Sequence, residues 1–216
     1  MAKEGAAKMI YYCRKIEEDL FLDGNADKQQ WKTAKEIRLV DNSTGGKPQQ
    51  AATAKLLWND RNLYVCFKCT DNYINATMTG YNDRLYEEEV AEVFIDDNRD
   101  MKTYIELEVN PLNALLHYSI HNDLKGNIIG YGRVDKNIKS AVLCDKLKGI
   151  WSAELEIPFS EFITAENIPP EKGDRWLANF YRIDRPKDKK AEYTAWSPTG
   201  QDNFHRPEKF GELIFD

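Results

Sequence analysis

Glu92 is the residue whose chemical type fits its surroundings least. It interrupts the segment 90–95, in which both faces of a β-strand would otherwise be apolar. A carboxylate in such a place is costly unless it is hydrogen-bonded or paired with an opposite charge. Glu92 therefore has two interpretations: a structural carboxylate bonded to an arginine, a tyrosine or the backbone, or a polar group of a binding site.

A second acidic pattern lies in the segment 103–110, where apolar and polar residues alternate with the two-residue period of a strand. Tyr104, Glu106, Glu108 and Asn110 share one face, which is a polar surface compatible with sugar hydroxyls. Glu106 and Glu108 would have Cα atoms ~6.6 Å apart, within the range of glycosidase carboxylate pairs. A weakly catalytic or glycoside hydrolase-associated domain that uses this pair is one alternative.

Aromatic residues on loops supply the other half of a sugar site. Such sites place flat rings against the apolar C–H face of a sugar, with amides and carboxylates around the ring edge. Tyr86, in the segment 82–86, and Phe204, in the segment 201–207, are the candidate platforms. Loop aromatics often only pack against their neighbours, so a structural domain that has lost sugar binding is a second alternative.

Metal and haem chemistry have weaker signals. Oxygen-bearing side chains alternate at Asp96, Asn98 and Asp100, as in calcium loops, but the Gly and the distal Glu of an EF-hand are missing. A plain acidic loop is the other interpretation, so a structural calcium ion is a candidate and no cofactor is required. Haem is a further alternative, although the chain has no CxxCH motif. Its axial ligands would come from His117, His121 and His205.

Composition excludes two classes of partner. The 36 acidic and 30 basic residues are interspersed and give a net charge of −6, which is no footprint for a nucleic acid. No apolar stretch approaches the ~18–20 residues that span a bilayer, and the opening residues lack the apolar core of a secretory signal. We expect a cytoplasmic protein, or a periplasmic or secreted one if a signal peptide has been removed.

Many short strand-like segments separated by turn residues predict an all-β fold. The segments 55–58 and 63–70 flank a polar four-residue turn and predict a β-hairpin. Only short helices are predicted, at 158–162 and 26–31, too short for the crossovers of a parallel sheet. We predict an antiparallel β-sandwich of jelly-roll or immunoglobulin-like type, as a single domain over 1–216. The further predicted strands are 89–97, 103–110, 114–120, 138–144, 150–157, 174–184, 192–196 and 211–215.

Several short motifs, in order along nearly the whole chain, resemble the family 9 carbohydrate-binding modules. They are Leu-Asp-Gly at 22–24 with Trp31, the hairpin Leu-Trp-Asn-Asp at 57–60 with Leu-Tyr-Val at 63–65, Glu-Val-Phe-Ile-Asp at 92–96, Trp-Ser-Pro-Thr at 196–199 and Phe-His-Arg-Pro-Glu-Lys-Phe-Gly at 204–211. The segments 179–184 and 203–205 resemble a stand-alone, family-9-like subgroup.

The resemblance implies a β-sandwich that binds sugar in a slot between two aromatic rings and carries no catalysis. By position in the motifs, those rings are Tyr86 and Phe204, where the best-known members have tryptophans. Glu92 takes the place of a sugar-bonding glutamate, and Glu108 stands where an arginine is expected. The further ligand-binding candidates that the resemblance implies are Gln201, Tyr181 and Asn179.

The implied ligand is a mono-, oligo- or polysaccharide, and the implied role is support of polysaccharide breakdown. A glycoside hydrolase is the protein partner that the resemblance suggests.

Overall fold

The structure is a computed structural model that describes residues 8–187 and 189–216. It contains fourteen strands and four short 3₁₀ helices in this part of the chain. The strands are β1 (Ile10–Lys15), β2 (Ile37–Arg38), β3 (Val40–Asp41), β4 (Ala52–Trp58), β5 (Asn62–Thr70), β6 (Val90–Asp96), β7 (Thr103–Val109), β8 (Leu115–Asn122), β9 (Ile128–Gly132), β10 (Lys139–Asp145), β11 (Ile150–Pro158), β12 (Arg175–Asp184), β13 (Glu192–Ala195) and β14 (Gly211–Phe215). The 3₁₀ helices are Gln30–Thr33, Leu85–Glu87, Phe159–Glu161 and Pro207–Lys209.

The strands form two sheets. The first has the order β10-β11-β5-β4, with β2 paired to β4, and the second has the order β14-β12-β6-β7-β8-β9. β13 pairs with the second half of β12 and also with β3. The predicted antiparallel β-sandwich is confirmed, because these pairings are all antiparallel.

β1 connects the two sheets and departs from the antiparallel rule. Ile10 to Cys13 pair with β14, and Arg14 and Lys15 pair with β4, both in parallel. The sequence analysis did not identify this strand. It completes the sandwich by hydrogen bonding to one sheet with its first half and to the other with its second half.

Apolar side chains fill the space between the sheets. The first sheet contributes Leu56, Val65 and Trp151, and the second contributes Leu107 and Phe180, all in one buried cluster. These residues lie on one face of their strands because side chains alternate in direction along a strand. The alternate side chains of the second sheet therefore point outward, away from this core.

The predicted hairpin is confirmed as β4 and β5, joined by the tight turn after Trp58. The helix predicted at 158–162 is a single 3₁₀ turn, Phe159–Glu161, and the one predicted at 26–31 lies further along, at Gln30–Thr33. In the described part of the chain, no helix is long and apolar enough to cross a membrane.

Candidate functional site

A cavity of about 350 Å³ opens on the outer face of the second sheet. Its volume lies within the ~300–1,000 Å³ usual for small-molecule sites. Tyr86, Glu92 and Phe204, three residues singled out from the sequence, all line it. The cavity therefore combines two aromatic rings with a buried carboxylate.

The ring of Phe204 is held in place by the sheet behind it. It stacks on Tyr181, with ring centroids 4.1 Å apart and planes inclined by 15°. The Tyr181 hydroxyl donates a hydrogen bond of 3.0 Å to the Phe204 carbonyl, so the same tyrosine fixes the backbone. Asn179 donates to that hydroxyl at 2.7 Å. Phe204 is only 8% exposed, so a ligand can contact only the small part of the ring that faces the cavity.

Tyr86 lies on the 3₁₀ turn that leads into β6. Leu85 beside it is fully buried and anchors the turn. The guanidinium of Arg185 donates to the Tyr86 carbonyl at 2.8 Å, and Arg84 donates to its hydroxyl at 2.9 Å. Its ring is half-buried and more accessible than that of Phe204.

The acidic floor of the cavity comes from β6 and β7. Glu92 and Glu108 are paired across these strands, and Glu106 is paired with Phe94 two positions further along, on the same face of the sheet. Glu92 and Glu106 line the cavity, whereas Glu108 lies behind them and is fully buried.

Burial sets the protonation of these three carboxyls. It raises the pKa of Glu106 to about 7, and it raises the pKa of Glu92 well above its usual range, with the Glu106 charge adding to the effect. Burial and the two neighbouring glutamates likewise raise the pKa of Glu108. At neutral pH the three groups therefore retain protons or need a cation among them.

Three other predicted ligand-binding residues do not line the cavity. Tyr181 lies beneath Phe204, and Asn179 is fully buried with its amide bonded to both backbone groups of Ser197. Gln201 is exposed. Its backbone carbonyl stabilises the loop by accepting hydrogen bonds from the side chains of Asn42 and Thr199. Tyr181 and Asn179 support Phe204, and Gln201 lies in the loop that carries it.

Other cavity residues were not identified from the sequence. Tyr118 and Ile120 come from β8, and Tyr193 comes from β13. Glu106 was considered as part of a polar, sugar-compatible strand face and as a catalytic acid, and His205 was considered as a haem ligand. The alternation of β8 places Tyr118 on one face, but only the strand order reveals that this face adjoins Glu106.

The candidate calcium loop is closed by its own hydrogen bonds. Asp96 accepts from the backbone N–H groups of Arg99 and Met101, at 2.6 and 2.8 Å. Asp100 accepts from those of Lys102 and Thr103 at 2.6 and 2.7 Å, and Asn98 accepts from that of Asp100. Calcium at this loop remains a prediction.

The three histidines do not converge on one haem site. His117 and His121 pair with Leu107 and Thr103 across β7 and β8, on the side of the sheet that faces the core. His205 lies on the outer side, where its Nδ1 is 2.9 Å from the Tyr104 hydroxyl.

A larger cleft of about 680 Å³ lies beside the C-terminal strand. Its only aromatic residue among the described lining residues is Trp58, which is 1% exposed. The cleft therefore offers no ring on which a sugar could stack.

An outward-facing cavity with rigid rings and buried carboxylates on a two-sheet scaffold is characteristic of ligand-binding β-sandwich domains. The model of the family described as "Carbohydrate family 9 binding domain-like" matches residues 22–216. The chain belongs to this family, as the sequence motifs indicate.

Solved structures with the same fold include proteins from two bacteria. A protein from Bacteroides uniformis assigned to carbohydrate binding has a TM-score of 0.77 and 19% identity, covering 97% of this chain and all of that one. A family 9 module from Caldicellulosiruptor kristjanssonii in complex with cellotriose has a TM-score of 0.70 and 17% identity, covering 96% and 93%. The same kind of module in complex with glucose has a TM-score of 0.69 and 16% identity, over 96% of this chain and 95% of that one.

Relatives of similar sequence are much longer proteins. Endo-1,4-beta-xylanase A of Thermotoga neapolitana is 25% identical over 194 residues, which is 89% of this chain and 16% of the xylanase. Exoglucanase XynX of Acetivibrio thermocellus is 38% identical over 61 residues, 28% of this chain and 5% of the exoglucanase. The chain thus spans only a small part of the curated relatives that it matches.

Proposed function

We propose that the chain binds carbohydrate without catalysis, in the cavity on the outer face of the second sheet. One observation carries the proposal: Tyr86, Phe204 and Glu92, chosen from the sequence motifs, line a single cavity of sugar size. A sugar ring would pack its C–H face on the aromatic rings. Its hydroxyls would donate to Glu92 and bond to polar groups at the rim, such as Asn203.

The proposal extends to the biological role. The sequence relatives are named as a xylanase and an exoglucanase, and this chain matches a small part of each. We therefore propose that the domain supports polysaccharide breakdown and acts beside a glycoside hydrolase. The structural neighbours in complex with cellotriose and glucose make these two sugars the first probes.

Isothermal titration calorimetry with cellotriose and glucose, preceded by a glycan array, tests the binding. We expect Tyr86→Ala to weaken the affinity about tenfold, equivalent to ~1.4 kcal/mol. Phe204→Leu keeps most of the buried volume but removes the flat ring, and we expect a comparable loss. Tyr12→Ala is the matched control, because Tyr12 is 54% exposed on β1 and lies outside the cavity lining.

Two outcomes would contradict this function. Full affinity in both ring variants would place the sugar elsewhere on the molecule. Absence of binding across the array would favour a structural domain that has lost sugar binding.

Catalysis by Glu106 and Glu108 is the competing function, and the geometry gives it less support. A retaining glycosidase needs one ionised and one protonated carboxyl at the scissile bond. Here Glu108 is fully buried and lies behind the cavity, and the pKa of each carboxyl is raised. Turnover of aryl-glycosides that is abolished by Glu106→Gln would establish catalysis and refute the binding-only function.

A further inference from the structure

The three glutamates beneath the cavity form a compact set of oxygen atoms. One carboxylate oxygen from each of Glu92, Glu106 and Glu108 lies within 4.8 Å of the other two. All three side chains are at most 6% exposed. Three carboxyl groups at this spacing repel one another when ionised, so the arrangement needs protons or a positive charge.

The hydrogen-bonding capacity of this set is largely unused. Both carboxylate oxygens of Glu108 and one of Glu92 are buried and accept no hydrogen bond within the described structure. Buried polar atoms without partners are rare in folded proteins and call for an explanation. Glu108 is fully buried and points into the set, so its free oxygens are directed at the space that the three carboxyls share.

A second acidic set in the same protein shows the contrast. Asp71, Glu89 and Asp184 also lie within 4.8 Å of one another, but the guanidinium of Arg182 lies among them. Its Nη2 is 2.7 Å from Glu89, 3.2 Å from Asp184 and 3.3 Å from Asp71. This set therefore carries its own cation.

The set beneath the cavity has no such side chain. No lysine, arginine or histidine in the described ranges forms an ion pair with Glu92, Glu106 or Glu108. Arg185 is the basic group whose charge reaches Glu92, but its guanidinium donates to the carbonyls of Tyr86 and Glu88. When these carboxyls ionise, a cation that balances them has to come from outside the chain.

We propose that Glu92, Glu106 and Glu108 bind a divalent metal ion of the hard, oxygen-seeking class, with calcium as the best fit. Calcium takes oxygen ligands at ~2.3–2.6 Å, so two ligands on opposite sides of the ion are about 4.8 Å apart. Carboxylate oxygens within 4.8 Å of one another satisfy this limit. Glu92 and Glu106 line the cavity, which gives the ion a path of entry and leaves coordination positions open on that side.

Ion binding by this set does not require a sugar. If the proposed sugar binding is also correct, hydroxyl groups of the sugar can occupy the open coordination positions. That extension rests on the proposed function, and the two are tested separately, because the ion can be titrated with no sugar present.

Calorimetric titration of the metal-stripped protein with calcium chloride tests the proposal, using the wild type and three variants. We expect one saturable site in the wild type, and at least a tenfold weaker affinity in Glu108→Gln. Glu171→Gln is the matched control, because Glu171 is exposed and lines the cleft beside the C-terminal strand instead of this cavity, and the variant should bind calcium as the wild type does. Asp100→Asn reports on the candidate calcium loop and should also leave the affinity unchanged.

A thermal melt with and without calcium separates loss of the site from loss of the fold. Glu108→Gln removes a buried charge, so the variant should melt cooperatively and at no lower temperature than the metal-free wild type. Calcium should raise the melting temperature of the wild type, because a ligand that binds only the folded state stabilises it. It should not raise that of Glu108→Gln.

Three results would overturn the proposal. The first is the absence of calcium binding in the wild type, and the second is full affinity in Glu108→Gln. The third is a site that is lost in Asp100→Asn and kept in Glu108→Gln, which would place the ion in the 96–103 loop.

Titration with glucosamine hydrochloride tests whether an ammonium group, instead of a metal ion, supplies the positive charge. If glucosamine binds in a Glu108-dependent manner and calcium does not, the set takes an ammonium group and the metal proposal is wrong.

Discussion

Glu92 and Glu108 lie directly opposite each other on neighbouring antiparallel strands, and both side chains are buried. Like charges in this relationship destabilise a sheet. The protein nevertheless places the pair at the cavity that Tyr86 and Phe204 line, where Glu106 adds a third carboxyl. A site that costs stability in the free protein and gains from a ligand is a common feature of binding proteins.

The first prediction concerns the pH dependence of that cost. A carboxyl whose pKa is raised on folding stabilises the protein fully below its unfolded pKa of about 4.5, and the contribution is lost as pH rises through the folded value. For Glu106 the folded pKa is about 7, and those of Glu92 and Glu108 are also raised. Without metal ions, we expect Glu108→Gln to be about 1 kcal/mol more stable than the wild type at pH 8, and we expect this difference to be much smaller at pH 5, close to the unfolded pKa.

Urea unfolding at both pH values, in the presence of a chelator, measures this difference. Burial lowers the pKa values of His117 and His205 to about 4, which makes the wild type lose stability as pH falls below about 6.5. Those contributions are the same in both proteins and cancel in the comparison. A stability difference that is equal at pH 5 and pH 8 would refute the prediction.

The second prediction concerns Tyr118 as a third aromatic wall. A Cβ atom at Gly130 would lie 2.7 Å from the Tyr118 ring and 3.2 Å from Ile120. Gly130 thus lets the ring of Tyr118 pack against β9, at the side of the cavity. We expect Gly130→Ala to displace the ring and to lower sugar affinity roughly threefold to tenfold, up to ~1.4 kcal/mol.

Calorimetry with the sugar that binds the wild type checks this prediction. Ile129→Ala is the control, because Ile129 is the neighbouring residue on β9 and its side chain points to the opposite face. Equal affinities in Gly130→Ala and the wild type would show that the Tyr118 ring is not part of the binding surface.

The third prediction explains the Leu-Asp-Gly motif near the N-terminus. Glu154 is fully buried in β11 and accepts from the backbone N–H groups of Asp23 and Gly24, at 2.9 and 2.8 Å. It also accepts from the indole N–H of Trp31 at 2.6 Å, and Lys28 is 2.8 Å away. One carboxylate therefore joins the first segment of the family motif to the first sheet.

Glu154→Gln leaves one side-chain oxygen to accept the hydrogen bonds that two oxygens accept now. It also removes the buried charge that Lys28 pairs with, so that Lys28 keeps only the partly exposed Asp23, 2.9 Å away, as an ion-pair partner in the described structure. We expect a loss of about 3 kcal/mol in the free energy of unfolding. Glu156→Gln is the control, because the partner of Glu156 is the mostly exposed Lys139, and its loss should be below about 1 kcal/mol. If both variants lose the same free energy of unfolding in urea, the hydrogen bonds of Glu154 to the 23–31 segment stabilise the protein no more than a surface ion pair does.

The sequence predicts best those strands whose apolar and polar residues alternate with a period of two. β5, β7 and β12 alternate clearly between core and outer face, and each was identified within two residues of its bounds. β9 was missed because all five of its residues are exposed and two are glycines. β1 was missed because its pairing with both sheets depends on partners far away in the chain.

The residues of the candidate site likewise differ in whether the sequence alone could identify them. Tyr86, Glu92 and Phe204 could be named because they occupy fixed places in short family motifs, and all three line the cavity. Tyr118 and Tyr193 come from strands whose position beside the cavity follows only from the strand order. Asn179 and Tyr181 were assigned to the ligand by motif, whereas their hydrogen bonds in the structure support Phe204 from below.

The fourth prediction concerns the 96–103 loop and tests whether its conformation depends on a bound metal ion or only on its own hydrogen bonds. Arg99 and Met101 both have positive φ angles, of 62° and 60°, which cost a non-glycine residue of order 1 kcal/mol each. The two oxygens of Asp96 accept from the N–H groups of these same two residues. The carboxylate therefore holds the loop in its strained conformation through two hydrogen bonds of its own.

We expect Asp96→Asn to lower the free energy of unfolding by about 1–2 kcal/mol, because an amide nitrogen cannot accept one of these bonds. The loss should be the same in chelator and in millimolar calcium, as measured by urea unfolding. If calcium bridges Asp96, Asn98 and Asp100, the wild type alone would gain stability from the ion, and the cost of Asp96→Asn would grow when calcium is added. Asn98→Ala extends the comparison, since Asn98 accepts only from the N–H of Asp100 and donates to Thr103. A calcium-dependent cost in both variants would establish the loop as a metal site, and a constant cost would establish that its own hydrogen bonds suffice.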